Sequence, residues 1–217
     1  MHIHKPNPGS PSSAMQSPLD TWAQVRIHLF HLDGKDYLVT VHYFSSFYEL
    51  DRLSTMTSSE VIGKLKQHFG RHGVRERMIS DNGPPYNSQE FQDFAKTYSY
   101  GHVTSLPGYS QSNEKAENTV KLAKGLLQKA SQSKNGPHLA LLDWWNAPSE
   151  ILGTSPAQRL FCLRTRTLLP TSVSLLKQEV ATDTVPKLET QEAKQANYYN
   201  STALELKELK EDDLVWM

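Results

Sequence analysis

Two alternating runs of apolar and polar residues, Val25-Arg26-Ile27-His28-Leu29-Phe30 and Tyr37-Leu38-Val39-Thr40-Val41-His42-Tyr43-Phe44, flank Asp33-Gly34. That junction sets most of what the chain can fold into, because Asp-Gly suits the twist of a two-residue β-hairpin turn. Phe47-Tyr48-Glu49-Leu50 opens a third strand ending near Leu53, which predicts an antiparallel meander. The period then changes. Thr57 or Ser58 can cap a helix with Glu60 at the reciprocal position, Val61, Ile62, Leu65 and Phe69 recur at helical spacing, and Gly73 can stop it. Arg77-Met78-Ile79-Ser80 predicts a short strand delivering Asp81 at its end, and a second helix runs from about Ser88 to Tyr98 over Phe91, Phe94 and Ala95. After a last short strand at Gly101–Thr104, Asn113 is read as the cap of a longer helix with the stripe Ala116, Val120, Ala123, Leu127 and Ala130. Leu139–Trp145 and Pro156–Leu163 suggest two more helices. Strands first, then alternating helix and strand, give an α/β class with a mixed sheet.

The organisation around this segment is simpler. Residues 1–20, rich in Pro, Ser, Gly and Asn, read as a disordered leader, and 21–170 as the folded core. Residues 171–206 read as a linker with a polar helix over Gln191–Leu206, and 207–217 as the start of a strand belonging to something larger. Such a short ending cannot bury a core of its own. No run reaches the roughly 18 apolar residues of a membrane helix, so no membrane partner is expected. Cys162 is the only cysteine, which excludes a disulfide framework. His2 and His4 have no cysteine near them, so a structural zinc module is not expected. With 23 basic and 23 acidic residues, any nucleic-acid binding has to come from local patches.

The candidate chemistry sits on Asp81 and Glu117, separated by 35 residues, in the phrases Ser80-Asp81-Asn82-Gly83-Pro84 and Gln111-Ser112-Asn113-Glu114-Lys115-Ala116-Glu117-Asn118. Two carboxylates on rigid elements can share divalent metals, and a pair of metals can drive in-line attack on a phosphodiester. Asn113, Glu117, Lys121 and Lys124 fall on one helical face, which could present Glu117 to a metal and the lysines to phosphates. The plainer alternative is an Asp-Asn-Gly turn and an ordinary exposed Glu117–Lys121 pair.

These phrases, with Trp22-Ala23-Gln24-Val25, the Leu32–Val39 hairpin, Ser88-Gln89-Glu90-Phe91, His102-Val103-Thr104-Ser105 and Tyr109-Ser110-Gln111-Ser112-Asn113, resemble the catalytic core of retroviral and gypsy-type LTR-retrotransposon integrases. The Ser155-Pro156-Ala157 helix start agrees more weakly, and Lys194–Asn200 with Leu209–Met217 resemble the approach to that family's small C-terminal barrel. The resemblance implies a ribonuclease-H-like fold, a mixed five-stranded sheet flanked by helices. It also implies magnesium or manganese ions, DNA as partner, processing and strand transfer of DNA ends, a homodimer through the core, and nuclear residence, with cytoplasmic residence as the alternative. Carried over by position, Asp81 and Glu117 are the second and third metal ligands.

The family's first aspartate falls on His28. Imidazole suits softer metals than magnesium does, so a two-metal arrangement is expected to be lost or badly weakened. Asp33 and Asp36, in or beyond the hairpin turn, cannot replace a mid-strand ligand. As a structural residue, His28 would be a half-buried strand histidine with one hydrogen bond. Glu114 replaces a small residue and Asp212 a glycine of the family pattern. Three functions follow: an integrase-derived core with lost or impaired catalysis, an active transferase that tolerates His28, and a non-enzymatic DNA-binding or self-association module. Trp144 and Trp145 could serve the last, though paired tryptophans also fit a core.

Overall fold

Why the meander and the later strands make one sheet is visible in the pairing. The computed structural model describes residues 24–105, 110–133, 136–168, 170, 172–177 and 184–200, with backbone alone for 110–115, 175 and parts of the last helix. Strands β1 (Gln24–Leu32), β2 (Lys35–His42) and β3 (Tyr48–Leu53) pair antiparallel; β4 (Arg77–Ser80) and β5 (Gly101–Thr104) add in parallel, giving the order β3-β2-β1-β4-β5. Asp33 and Gly34 both adopt positive φ, 50° and 71°, as the hairpin turn demands. The mixed five-stranded sheet is the one the sequence pattern predicts.

Helices α1 (Ser58–His72), α2 (Gln89–Thr97), α3 (Ser110–Ser133), α4 (Pro137–Asn146), α5 (Pro156–Phe161) and α6 (Thr184–Asn200) follow, with a 3₁₀ turn at Val173–Leu176. Strand alternation sorts the core into two layers. Val25 and Ile27 pack with Leu38, Val61, Leu65, Met78 and Phe91 under α1 and α2, while Phe30, Val39, Val41 and Tyr48 pack with Val120, Ala123 and Leu141 under α3 and α4. Trp144 and Trp145 belong to this second layer. Trp144 lies 4.6 Å from the Tyr48 ring, and Trp145 stacks on Phe47 and donates from Nε1 to the Tyr48 carbonyl at 2.9 Å.

Three expectations about boundaries are corrected. Thr57 caps α1, but Glu60 does not reach back to it; its carboxylate accepts from the Ser54 and Thr55 amides instead, at 2.7 and 2.6 Å, and so ties down the chain before the cap. Helix α3 begins at Ser110, so Asn113 lies inside the helix and is not its cap. No Gly or Pro stands between Tyr109 and Lys124 to stop that extension. Helix α6 begins at Thr184 rather than 191, since Pro186 is tolerated in a first turn where amides lack partners anyway. The leader, its two histidines and the segment 207–217 lie outside the described residues. Among the described residues no helix is long and apolar enough to cross a membrane.

Candidate active site

Position 28 shares the parity of Phe30, so His28 rises from the sheet face that α3 covers. The parallel register Val25↔Met78 and Arg26↔Ile79, continued two residues, brings position 28 level with the end of β4, where Asp81 leaves the sheet. The two side chains meet there: His28 Nδ1 stands 3.4 Å from Asp81 Oδ2, with side-chain exposures of 23% and 37%. The hydrogen bond expected of a structural histidine is absent from Nδ1, which is buried without a hydrogen-bond partner. At 3.4 Å and without hydrogen-bond geometry the two atoms are close neighbours rather than bonded partners.

Asp81 itself is held from both sides. Its Oδ1 accepts the Gly83 amide at 2.9 Å, an Asx-type turn closed by the Asp-Asn-Gly sequence. A Cβ at position 83 would fall 2.8 Å from that oxygen, so glycine lets the turn close. Ser80 Oγ donates to the Asp81 carbonyl at 2.7 Å and sits 2.9 Å from His102 Nε2. With the hydroxyl proton committed to the carbonyl, the His102 Nε2–H donates to Ser80 Oγ. Burial lowers the His102 pKa, which keeps the ring neutral in this role. Beneath, the phenol of fully buried Tyr86 is pushed well above its ordinary range, first by burial and then by the Asp81 carboxylate. Tyr86 had no signal in the sequence, and His102 stood there only within the phrase His102-Val103-Thr104-Ser105; the Asp-Asn-Gly turn was readable.

Glu117 is exposed one residue after buried Ala116 on α3. The described residues contain no group of three or more His, Cys, Asp or Glu side chains placed to hold a metal ion, so Glu117 does not join His28 and Asp81 in such a group. Lys121 is exposed, whereas Lys124 places Nζ 5.5 Å from the Phe30 ring centroid, a cation–π contact on the sheet face. The side chains of Asn113 and Glu114 lie outside the described residues. Asp33 sits in the turn and Asp36 pairs with His31 at 2.7 Å, so neither substitutes for a carboxylate at position 28.

The same fold, a mixed five-stranded sheet flanked by helices, occurs in solved structures. The chain aligns with the catalytic core domain of BIV integrase at a TM-score of 0.57, 20% identity, covering 64% of this chain and 93% of that one. The HTLV-2 integrase catalytic core domain in complex with magnesium gives 0.53 and 23%, covering 62% and 93%. The fold is that of a retroviral integrase catalytic core. In sequence, the chain is 29% identical over 188 residues to an uncharacterised Caenorhabditis elegans protein, K02A2.6, covering 84% of this chain and 14% of that protein. It is 27% identical over 126 residues to the Gag-Pro-Pol polyprotein of mouse mammary tumor virus, covering 56% and 7%. The chain thus spans a small part of the curated relatives it matches. No family model matches it.

A pair of magnesium ions does not fit this donor set. Magnesium calls for oxygen ligands in near-octahedral array. Here the strand position beside Asp81 carries an imidazole nitrogen, one carboxylate oxygen is occupied by Gly83, and a single oxygen faces the gap. Two dications would face one carboxylate where charge balance needs more.

Proposed function

We propose that the chain is a retroelement-derived integrase core, of the gypsy-type lineage, that keeps the scaffold and has lost or nearly lost strand transfer. The observation that carries this reading is His28 facing Asp81 at 3.4 Å where the fold's chemistry would need a second carboxylate. Asp81 and Glu117 are then inherited ligand positions without a complete metal centre. What remains is a binding module for DNA, with Lys121 on the exposed face of α3 available to phosphates, and a core able to pair with a second copy. Nuclear residence follows from the same reading.

An oligonucleotide nicking and strand-transfer assay in magnesium and in manganese tests it. The expected rate is no higher than that of Asp81→Asn under either metal. Clear product that Asp81→Asn abolishes would show a working transferase that tolerates His28. DNA affinity measured against salt accompanies the assay, because phosphate contacts impose a steep negative slope. A flat slope would remove the DNA-binding half of the proposal.

A further inference from the structure

In an Asn-Gly pair the asparagine side chain closes readily on the next backbone nitrogen, because glycine carries no Cβ to obstruct the approach. This chain has two such pairs, in the identical tripeptides Asn82-Gly83-Pro84 and Asn135-Gly136-Pro137. We infer that Asn82 is a deamidation site held closed by the carboxylate of Asp81. This role goes beyond the proposed function and needs no metal: Asp81 acts as a hydrogen-bond acceptor that keeps its neighbour intact.

The reaction held back is intramolecular. Gly83 N loses its proton and bonds to Asn82 Cγ, the Cγ–Nδ2 bond breaks, and ammonia leaves with that proton. Water then opens the five-membered imide at either carbonyl, leaving aspartate or isoaspartate at position 82. Attack requires the peptide between residues 82 and 83 to turn until its nitrogen lies over Cγ.

The electrophile is free to take part. Asn82 is exposed, and no hydrogen bond holds its side chain among the described residues. The nucleophile is pinned. Gly83 N–H donates to Asp81 Oδ1 at 2.9 Å, and a hydrogen bond to a carboxylate is about twice as strong as one between neutral groups. At the other end of the same peptide, the Asn82 carbonyl accepts from Asn87 Nδ2 at 2.9 Å. The following peptide is fixed as well, since the Gly83 carbonyl accepts the amide of fully buried Tyr86 at 3.1 Å. Turning the nitrogen onto Cγ therefore breaks the bonds to Asp81 and Asn87 together.

Glycine has two opposed effects here. A Cβ at position 83 would fall 2.8 Å from Asp81 Oδ1, so the residue that exposes Asn82 to attack is also the one that lets the carboxylate close over the amide. Isoaspartate at position 82 would add a methylene to the main chain, and the turn that orients Asp81 could no longer close.

Peptide mass spectrometry of the 217-residue chain, incubated in neutral buffer, reads the rate at each asparagine. In urea the two Asn-Gly-Pro sites are expected to deamidate at a common rate. In the folded wild type, Asn82 is expected to react at least about tenfold more slowly than in urea, because a charged hydrogen bond has to break. Asp81→Ala, shown to be folded by circular dichroism, should raise the Asn82 rate at least about tenfold. Asp81→Asn keeps an acceptor oxygen and should stay close to the wild type. Asn87→Ala, at an exposed position, should raise the rate by a smaller factor and decides the test alone if Asp81→Ala does not fold. Wild-type Asn82 reacting at its urea rate overturns the inference, and so does a rate unchanged in the folded variants that lack these bonds. Asp81→Asn matching a raised rate in Asp81→Ala also overturns it, since the turn would then not be the protection. Strand transfer by the wild type would sink the proposed function and leave this inference standing; fast deamidation of folded, inactive wild type would do the opposite.

Discussion

His28→Asp is expected to raise magnesium-supported nicking and strand transfer by at least about 100-fold, equivalent to about 2.7 kcal/mol of barrier. The register of β1 against β4 brings position 28 beside Asp81, so a carboxylate there would face Oδ2 across the gap now filled by the imidazole. Two carboxylates can bridge dications in a way that a carboxylate and an imidazole cannot. The substitution has a second signature that does not depend on catalysis. Without metal, two facing carboxylates repel, and one of them is expected to titrate upward. The metal-free variant should therefore melt below the wild type, and magnesium should restore it by binding the folded state. His28→Asn, similar in size to aspartate and uncharged, is expected to show neither effect. An unchanged rate in His28→Asp would mean that position 28 does not decide activity, and would move attention to Glu114.

The second large effect is on stability. Arg159 is 4% exposed, and no carboxylate pairs with it among the described residues. Its Nε donates to the Ser45 carbonyl at 2.9 Å and its Nη1 to the Thr154 carbonyl, which joins α5 to the turn between β2 and β3 across more than a hundred residues. Burial lowers its pKa to about 10, so the guanidinium still carries its charge at neutral pH and spreads it over those carbonyl oxygens. Arg159→Met keeps much of the volume but leaves the buried Ser45 carbonyl without a side-chain donor and the Thr154 carbonyl with the Ser149 amide alone. The expected cost is about 3 kcal/mol, from charged hydrogen bonds of about 1.5–3 kcal/mol each less some relaxation. For a chain of this size that corresponds to a fall of roughly 6–12 °C in Tm. Arg159→Lys should recover part of it, since an ammonium can satisfy one carbonyl but lacks the fork to reach two. Equal melting of the Met variant and the wild type would show that the link between α5 and the β2–β3 turn carries no stability.

Local chemistry explains which parts of this structure were legible in the sequence. Asp33-Gly34, Thr57, Gly73 and Ser88 each announce a turn or cap through their own backbone preferences, and the structure uses all four. Of the stripe Ala116, Val120, Ala123, Leu127 and Ala130, all but half-buried Leu127 are buried, as the spacing requires. Asn113 misled because a good capping residue is also tolerated inside a helix, and Ser110-Gln111-Ser112 contains nothing to end one. Glu60 shows the same ambiguity: its carboxylate serves the two amides before the cap rather than the cap itself. The site was half legible. Asp81 and its Asx turn were readable from three adjacent residues. The meeting of His28 with Asp81 depends on β1 pairing in parallel with β4, a contact that no local pattern encodes. The same holds for buried His68 and for His72, whose partners Asp51 and Glu49 come from a strand that precedes their helix.

The central claim is that His28 denies the Asp81 site its pair of hard ions. Calorimetric titration of magnesium into the wild-type chain, with Asp81→Asn as the blank, measures this directly. The account expects no two-ion isotherm and no difference from the blank at millimolar magnesium. Two magnesium ions bound by the wild type and lost in Asp81→Asn would contradict it.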